Sequence, residues 1–158
     1  MGYGFYARAL GVFWPLILFS IFGNYVELGF ITTLLLIVSL AATIMFGSFF
    51  DKKRKNFIKG SFFVAGILWV VRLLVALPLV AYVVDSLYGL VRPSAEISVD
   101  ATTYSNAGKN AMEYIIYRET VIHTGIIICM LTVIVFPIPQ IGLIFAAIGS
   151  FLLVFLLK

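Results

Sequence analysis

Long apolar runs, broken only by short polar segments, occupy almost the whole of this sequence. A membrane-spanning helix needs about 20 consecutive apolar residues, because the hydrocarbon core of a bilayer is about 30 Å thick. Six such helices use roughly 120 positions, which leaves little of the 158-residue chain for loops and termini. Only 11% of the residues are charged, against about 25% in soluble domains. These numbers argue against a water-soluble enzyme and predict a multi-pass integral membrane protein in the lipid bilayer.

The apolar runs predict an all-α membrane fold of six transmembrane helices in a single domain. Pro78 marks a tight turn between the third and fourth spans, and the stretch Tyr104–Asn110 is predicted to be a loop. The fourth span is predicted to continue past Leu90, although it becomes less apolar there; the alternative is that it ends at Arg92. The predicted spans are about 5–22, 26–46, 60–77, 79–103, 112–136 and 140–157.

Basic residues are concentrated on one predicted side of the membrane. Five of the eleven lie between Lys52 and Lys59, in one short segment that follows the second span. With cytoplasmic N and C termini, the inner face holds this cluster together with Arg8, Lys109 and Lys158, while the outer turns hold no Lys or Arg. That arrangement satisfies the positive-inside rule and argues against nucleic-acid binding. The first span has no small-residue cleavage site after its apolar part, so we expect an uncleaved helix.

Two opposite charges flank the turn at Pro78. Arg72 lies six residues before this proline and Asp85 seven residues after it. In an antiparallel helix hairpin the two side chains lie at nearly the same depth, which predicts an intramembrane ion pair. An ionisable residue in a span costs free energy unless it is paired or hydrated. The pair is either purely structural, or Asp85 faces a water-filled cavity where it exchanges protons or binds a cation.

The fourth span carries a polar stripe. Tyr88, Arg92 and Glu96 follow Asp85 at intervals of three, seven and eleven residues. This spacing puts all four on one side of a helix. A stripe with two acids and an arginine must face protein or water rather than lipid. We therefore expect these residues to line a transport cavity.

The fifth span carries a second polar group. Glu119 and His123 lie four residues apart and share a helix face, with Arg118 beside them. A carboxylate next to an imidazole can pass a proton near neutral pH, which makes the three residues candidates for proton coupling; the alternative is a packed structural pair. If the fourth and fifth spans form a hairpin, Arg92 lies at the depth of His123, and Glu96 lies at the depth of Arg118 and Glu119. These five residues then form one polar cluster.

The sequence offers few residues for metal or covalent chemistry. Cys129 and His123 are each the only residue of their type, which argues against a disulfide framework, a multi-His zinc site or a haem bound by two histidines of one chain. No Gly-x-Ser-x-Gly nucleophile motif occurs. We therefore expect no metal, no cofactor and no enzymatic activity.

The segment between the second and third spans resembles the signature loop of major facilitator superfamily transporters. That loop has a glycine, an acid four positions later and then a basic run. The matching residues are Gly47, Asp51, Lys52, Arg54 and Lys55. The superfamily is built from six-helix halves with both termini in the cytoplasm.

Two further tracts support the resemblance. Residues 85–89 are similar to the fourth helix of certain bacterial members, and residues 113–125 to the fifth. The whole chain therefore resembles one half of such a transporter in a prokaryotic cytoplasmic membrane. Alternating access needs two bundles around a midplane site, which implies a two-fold homodimer. By resemblance, Asp51 docks against the fifth helix of the partner subunit, while Arg54 or Lys55 reaches acids such as Glu96 in the outward-open state.

The resulting hypothesis is a secondary active transporter of a small solute. It works by alternating access as a homodimer of six-helix halves, with proton coupling as an option. Two alternatives stay open: the chain is a subunit of a heterodimeric or split transporter, or it is a membrane scaffold protein that transports nothing.

Overall fold

The structure, a computed structural model, describes residues 2–50, 54–107 and 111–156. Over these residues the chain is all-helical without strands, which confirms the all-α part of the prediction, and the six helices follow the predicted order. The connections that the structure describes are short turns, as the sequence predicts at Pro78. The helices are α1 (Gly2–Phe22), α2 (Tyr25–Phe50), α3 (Arg54–Leu73), α4 (Pro78–Ala107), α5 (Ala111–Val135) and α6 (Gln140–Leu156).

The first helix is irregular in its middle. Its α-helical segments Gly2–Arg8 and Trp14–Phe22 are joined by a π-helical stretch, Ala9–Phe13. Pro15 lies just after that stretch; it has no amide hydrogen to donate, and its ring crowds the carbonyl one turn earlier. The wider π turn removes this conflict without ending the helix. α1 ends where Gly23 adopts a left-handed conformation with φ of 64°.

Several helix boundaries differ from the predictions, most of all in α3 and α4. α3 begins at Arg54 and ends at Leu73, whereas the sequence predicts a span over 60–77. Part of the basic segment is therefore helical rather than loop, because Lys and Arg are good helix formers. α4 runs through Pro93 to Ala107, so the alternative end at Arg92 is wrong. The predicted loop Tyr104–Asn110 is also wrong as far as Ala107, because the backbone hydrogen bonds of the helix continue into this polar stretch.

The helix pairs repeat with an offset of three. α1 packs against α5 and α6, while α4 packs against α2 and α3. The remaining extensive contact joins α3 to α6. Replacing each helix by the one three places along the chain turns this set of pairs into itself. The halves α1–α3 and α4–α6 therefore make equivalent contacts.

Glycines allow close helix approach in two of the corresponding pairs. A Cβ at Gly89 of α4 would lie 3.1 Å from the carbonyl oxygen of Leu35 in α2. A Cβ at Gly4 of α1 would overlap the carbonyl oxygen of Ile122 in α5. Small residues at such crossings let helix backbones approach each other in membrane proteins. Each repeat thus places a glycine in its first helix where the second helix of the other repeat crosses.

Apolar side chains cover most of the outer surface. Leu36 and Ile37 of α2 and Ile127 and Leu131 of α5 are 54%, 60%, 57% and 55% exposed, and such residues follow one another along both helices. Soluble monomers rarely expose contiguous apolar patches larger than a few hundred Å². By length and apolarity, Gly2–Phe22, Tyr25–Phe46 and Ala111–Val135 can each cross a membrane. These features indicate a membrane protein.

Candidate functional site

A buried ion pair lies at the centre of the bundle. The turn before Pro78 brings α3 and α4 together, and Arg72 Nη2 donates to Asp85 Oδ1 at 2.5 Å. The Arg72 side chain is 0% exposed and that of Asp85 is 3% exposed. The contact predicted from the hairpin is therefore present. Removing both charges from water is costly, so each depends on the other for compensation.

An aromatic cage encloses the arginine of this pair. The guanidinium carbon of Arg72 lies 3.9 Å from the ring centroid of Tyr88, 4.4 Å from that of Trp69 and 4.6 Å from that of Trp14. A cation facing aromatic rings at these distances is stabilised by their quadrupoles, most strongly where water is excluded. The Trp14 indole Nε1 also donates to Asp85 Oδ1 at 2.8 Å. The cage therefore joins α1, α3 and α4 around one charge.

Sequence reasoning did not assemble this cage. The sequence feature that could indicate the cage is the position of Trp14 and Trp69. Both lie within their predicted spans rather than at the membrane interfaces, where aromatic belts are expected. Arg72 Nε and Nη1 are buried and have no hydrogen-bond partner among the described residues. The rings take the place of those partners, which only the tertiary structure reveals.

A cavity of about 380 Å³ lies between α1, α2 and α4. Its polar wall comes from α4, where Asp85, Arg92 and Glu96 all line it. Asp85 and Glu96 are eleven residues apart, or about 16 Å along the helix at 1.5 Å per residue. The other lining residues are mostly apolar: Ala7, Leu10, Gly11, Trp14, Pro15 and Leu18 of α1, and Thr32, Leu35 and Leu36 of α2.

Three of the four stripe residues of α4 meet this cavity, and Tyr88 does not. Tyr88 is 0% exposed and packs in the cage against Arg72 and Trp69. At 3.6 residues per turn, a residue three positions after Asp85 is rotated by about 60° from it, whereas Arg92 and Glu96 lie within about 20°. Tyr88 therefore lies at the edge of the stripe and turns towards α3. The prediction that it lines the cavity is corrected.

A second ion pair lies on the cavity wall further along α4 from Asp85. Arg92 Nε donates to Glu96 Oε1 at 2.8 Å, and the two side chains are 26% and 34% exposed. This pair is one turn apart on a single helix and remains in contact with the open volume of the cavity. It is consequently more hydrated than the Arg72–Asp85 pair.

The polar residues of α5 form a separate group. Arg118 Nη1 donates to Glu119 Oε1 at 2.9 Å, and the His123 Nδ1 lies 3.9 Å from Glu119 Oε2. The side chains of Glu119 and His123 are 44% and 65% exposed, and neither residue lines the cavity. Glu119 and His123 thus share a face, as their spacing predicts.

The single five-residue cluster expected from α4 and α5 is not formed. Within the described ranges, neither Arg92 nor Glu96 makes an ion pair with α5. The physical reason is the packing of α5 against the first segment of α1, at Gly4. Helix α1 occupies the position that the hairpin prediction gives to α4.

The signature-like segment is only partly described. Asp51 and Lys52 lie outside the described residues. Gly47 falls in the last turn of α2, and Arg54 and Lys55 begin α3. The predicted contacts of this segment with a partner subunit remain predictions.

Among the described residues, no group of three His, Cys, Asp or Glu side chains could hold a metal ion. Comparison of the chain with protein-family models, with curated proteins and with solved structures finds no match. The resemblance to major facilitator transporters therefore remains a prediction from sequence motifs.

Proposed function

We propose that the chain is a half-size secondary transporter that works as a homodimer by alternating access. The observation that carries this proposal is the cavity between α1, α2 and α4, which has charged groups along one wall. Charges inside a membrane domain normally face a bundle interior or a water-filled pathway. A cavity with Asp85, Arg92 and Glu96 on one side and apolar residues on the other is suited to binding a small solute.

The proposal takes all six helices as spans with both termini in the cytoplasm. Three helices meet the length and apolarity needed. In α3 and α4, Arg72 and Asp85 neutralise each other, which reduces the cost of placing charge in lipid. α6 has 17 residues and is strongly apolar. The basic residues around Lys59 then face the cytoplasm, in agreement with the positive-inside rule.

The repeated helix pairing supports a transporter-like bundle. Six-helix halves of major facilitator transporters contain two three-helix repeats of inverted topology, with substrate sites at the repeat interface. In this chain α1–α3 and α4–α6 make equivalent contacts, and the cavity lies where α1 and α4 meet. Because three helices are an odd number, the second repeat starts from the opposite side of the membrane.

One bundle provides one part of an alternating-access pathway. Two bundles must move relative to each other around the bound solute, and a second copy of the chain related by a two-fold axis is the simplest source of the other bundle. In this arrangement Asp51 and the basic residues after it contact the partner subunit at the cytoplasmic face. Glu119 and His123, exposed on α5, are the candidates for proton coupling.

Alternating access can be tested before a substrate is known. In a Cys129→Ala background, Gly11→Cys places one thiol in the cavity, where a new Cβ meets no atom within 4 Å. We expect an added membrane-impermeant thiol reagent to label it in right-side-out vesicles, where the reagent meets the outer face of the membrane. We also expect labelling in inverted vesicles, where the reagent meets the cytoplasmic face. Ile37→Cys is the control: this residue is 60% exposed on α2 but does not line the cavity, so we expect no labelling from either side.

The labelling pattern separates the alternatives. Labelling of Gly11→Cys from only one side would contradict alternating access and favour the scaffold function. Native mass spectrometry directly from membranes tests the assembly: a mass of two chains supports the homodimer, whereas a different six-helix partner of equal stoichiometry would replace it by a heterodimeric transporter.

A further inference from the structure

The charges at the cavity are matched in pairs. Arg72 neutralises Asp85 from behind the cavity wall, and Arg92 neutralises Glu96 along the wall. The four groups therefore add no net charge. A charged solute would lose its hydration on entering and would find no unmatched opposite charge to compensate it. The balance of charge favours an uncharged solute.

One residue of the cavity lining, Asp85, still has free hydrogen-bonding capacity. Arg72 Nη2 and Trp14 Nε1 both donate to the Oδ1 oxygen of Asp85. No described residue donates to the other oxygen, Oδ2, and Asp85 lines the cavity. An ionised carboxylate accepts hydrogen bonds and donates none. An O–H or N–H group of a solute in the cavity can therefore donate to Oδ2.

The remaining walls favour an apolar body. Leu18, Leu35 and Leu36 line the cavity together with the ring of Pro15. A volume of about 380 Å³ lies in the range of about 300–1,000 Å³ that small-molecule sites occupy. Leu10 belongs both to this lining and to the π-helical stretch of α1, and π-bulges are frequent at functional sites.

We infer that the cavity binds an uncharged amphipathic solute with a hydrogen-bond donor at one end, which Asp85 Oδ2 accepts. The inference rests on the proposed function, because it names the substrate class of the same cavity. The cage of Trp14, Trp69 and Tyr88 holds Arg72 in place, and Arg72 in turn fixes the orientation of the Asp85 carboxylate. Asp85 is thus presented to the solute in one rotamer.

A matched series of probes tests this substrate class. Cyclohexylmethanol has an uncharged donor, (methoxymethyl)cyclohexane lacks the donor, and cyclohexylmethylammonium and cyclohexanecarboxylate carry opposite charges on the same ring. The chain has two tryptophans, of which Trp14 lines the cavity and contacts Asp85. Binding to the purified protein in lipid nanodiscs is followed by the change in tryptophan emission.

We expect the alcohol to bind at least about tenfold more tightly than the other three probes, because a hydrogen bond to a charged group contributes about that factor. Gly11→Leu fills the cavity from a site with open space around its Cβ, and it should abolish the emission change. Gly29→Leu, which also has open space but lies outside the cavity, should leave it intact. Equal binding of all four probes, or tightest binding of either charged one, would overturn the inference.

The inference and the proposed function fail in different ways. If Gly11→Cys is labelled from both sides but the alcohol shows no preference, transport stands and the substrate class is wrong. If the alcohol binds selectively but labelling occurs from one side only, the site is a binding site for uncharged amphipaths and transport is wrong. An emission change that persists in Gly11→Leu reports partition into lipid and contradicts the inference.

Discussion

Arg72 is the residue on which the centre of the molecule depends most. Among the described residues its charge has one ionic partner, Asp85, and three aromatic neighbours, and the Arg72 side chain itself is fully buried. The net stability gained from such a pair is small, because desolvation offsets the attraction. Losing one partner is different, since it leaves the other charge buried and unpaired. The pair Arg92–Glu96 offers a partly hydrated comparison in the same helix bundle.

Arg72→Met should therefore lower the free energy of unfolding by about 3–5 kcal/mol, the range for breaking a buried pair. Arg92→Met should cost less than about 1 kcal/mol, because Glu96 is 34% exposed and can be hydrated without its partner. Unfolding by sodium dodecyl sulfate in mixed micelles measures both. The double variant Arg72→Met with Asp85→Leu should recover much of the loss, and a double variant as unstable as the single one would contradict the assignment of the cost to an unpaired charge.

At the scale of the element, the π-helical stretch of α1 determines which residues face the cavity. A π turn accommodates one residue more than a regular α-helical turn. Leu10 and Gly11, which lie in this stretch, line the cavity, while Phe13 at its end is buried in the core. The irregular turn therefore lets α1 contribute to the cavity and to the core within one short segment.

In a Pro15→Ala background, which removes the ring that conflicts with a regular α-helical turn, deletion of Gly11 should convert the π stretch to α-helix and leave the flanking segments in register. We expect a thermal unfolding midpoint close to that of the Pro15→Ala variant. Deletion of Ile37 from the regular helix α2 is the control, because it rotates one half of α2 by about 100° against the other. Either Leu35 or Ala42 then leaves the core, and the midpoint should fall by about 10 °C or more. Equal effects of the two deletions would contradict this role of the π stretch.

Helix crossings depend on single glycines. Gly4→Ala places a methyl group against the Ile122 carbonyl of α5, so we expect α1 and α5 to separate and the unfolding midpoint to fall. Gly29→Ala, in open space on α2, should raise stability by up to about 1 kcal/mol through helix propensity. Thermal unfolding of the two variants in the same detergent compares them. A midpoint for Gly4→Ala at or above that of Gly29→Ala would show that the crossing tolerates a side chain.

At the scale of the whole molecule, the proposed topology puts opposite ends of α3 on opposite sides of the membrane. In a Cys129→Ala background, we expect Lys59→Cys to react with an impermeant thiol reagent only from the cytoplasmic side. Leu74→Cys, in the exposed turn before Pro78, should react only from the outside. Labelling of both from one side would exclude α3 as a span, and with it the six-span arrangement.

The ion pair and the fold class were accessible from sequence for a shared reason. Apolar runs long enough to form helices are a property of the chain itself, and a tight turn at Pro78 sets the depths of Arg72 and Asp85 without reference to other helices. The ends of α3 and α4 were predicted less well. The predicted helix ends lie where the apolar residues stop. A helix, however, continues into polar sequence wherever its backbone hydrogen bonds can be made, as at Arg54.

The predictions for Tyr88 and for the cluster of five charged residues were wrong, because both depend on contacts between helices. The sequence by itself determined an all-helical membrane chain, the order of its helices, and the depth of the charges that flank one turn. Only the tertiary structure decided that Tyr88 turns into a cage, that α1 rather than α4 packs along α5, and that α1 and α2 form the other walls of the cavity that the charges of α4 line. Periodicity specifies the position of a residue around its own helix axis, but the rotation of that helix and the identity of its neighbours depend on how all six surfaces pack together.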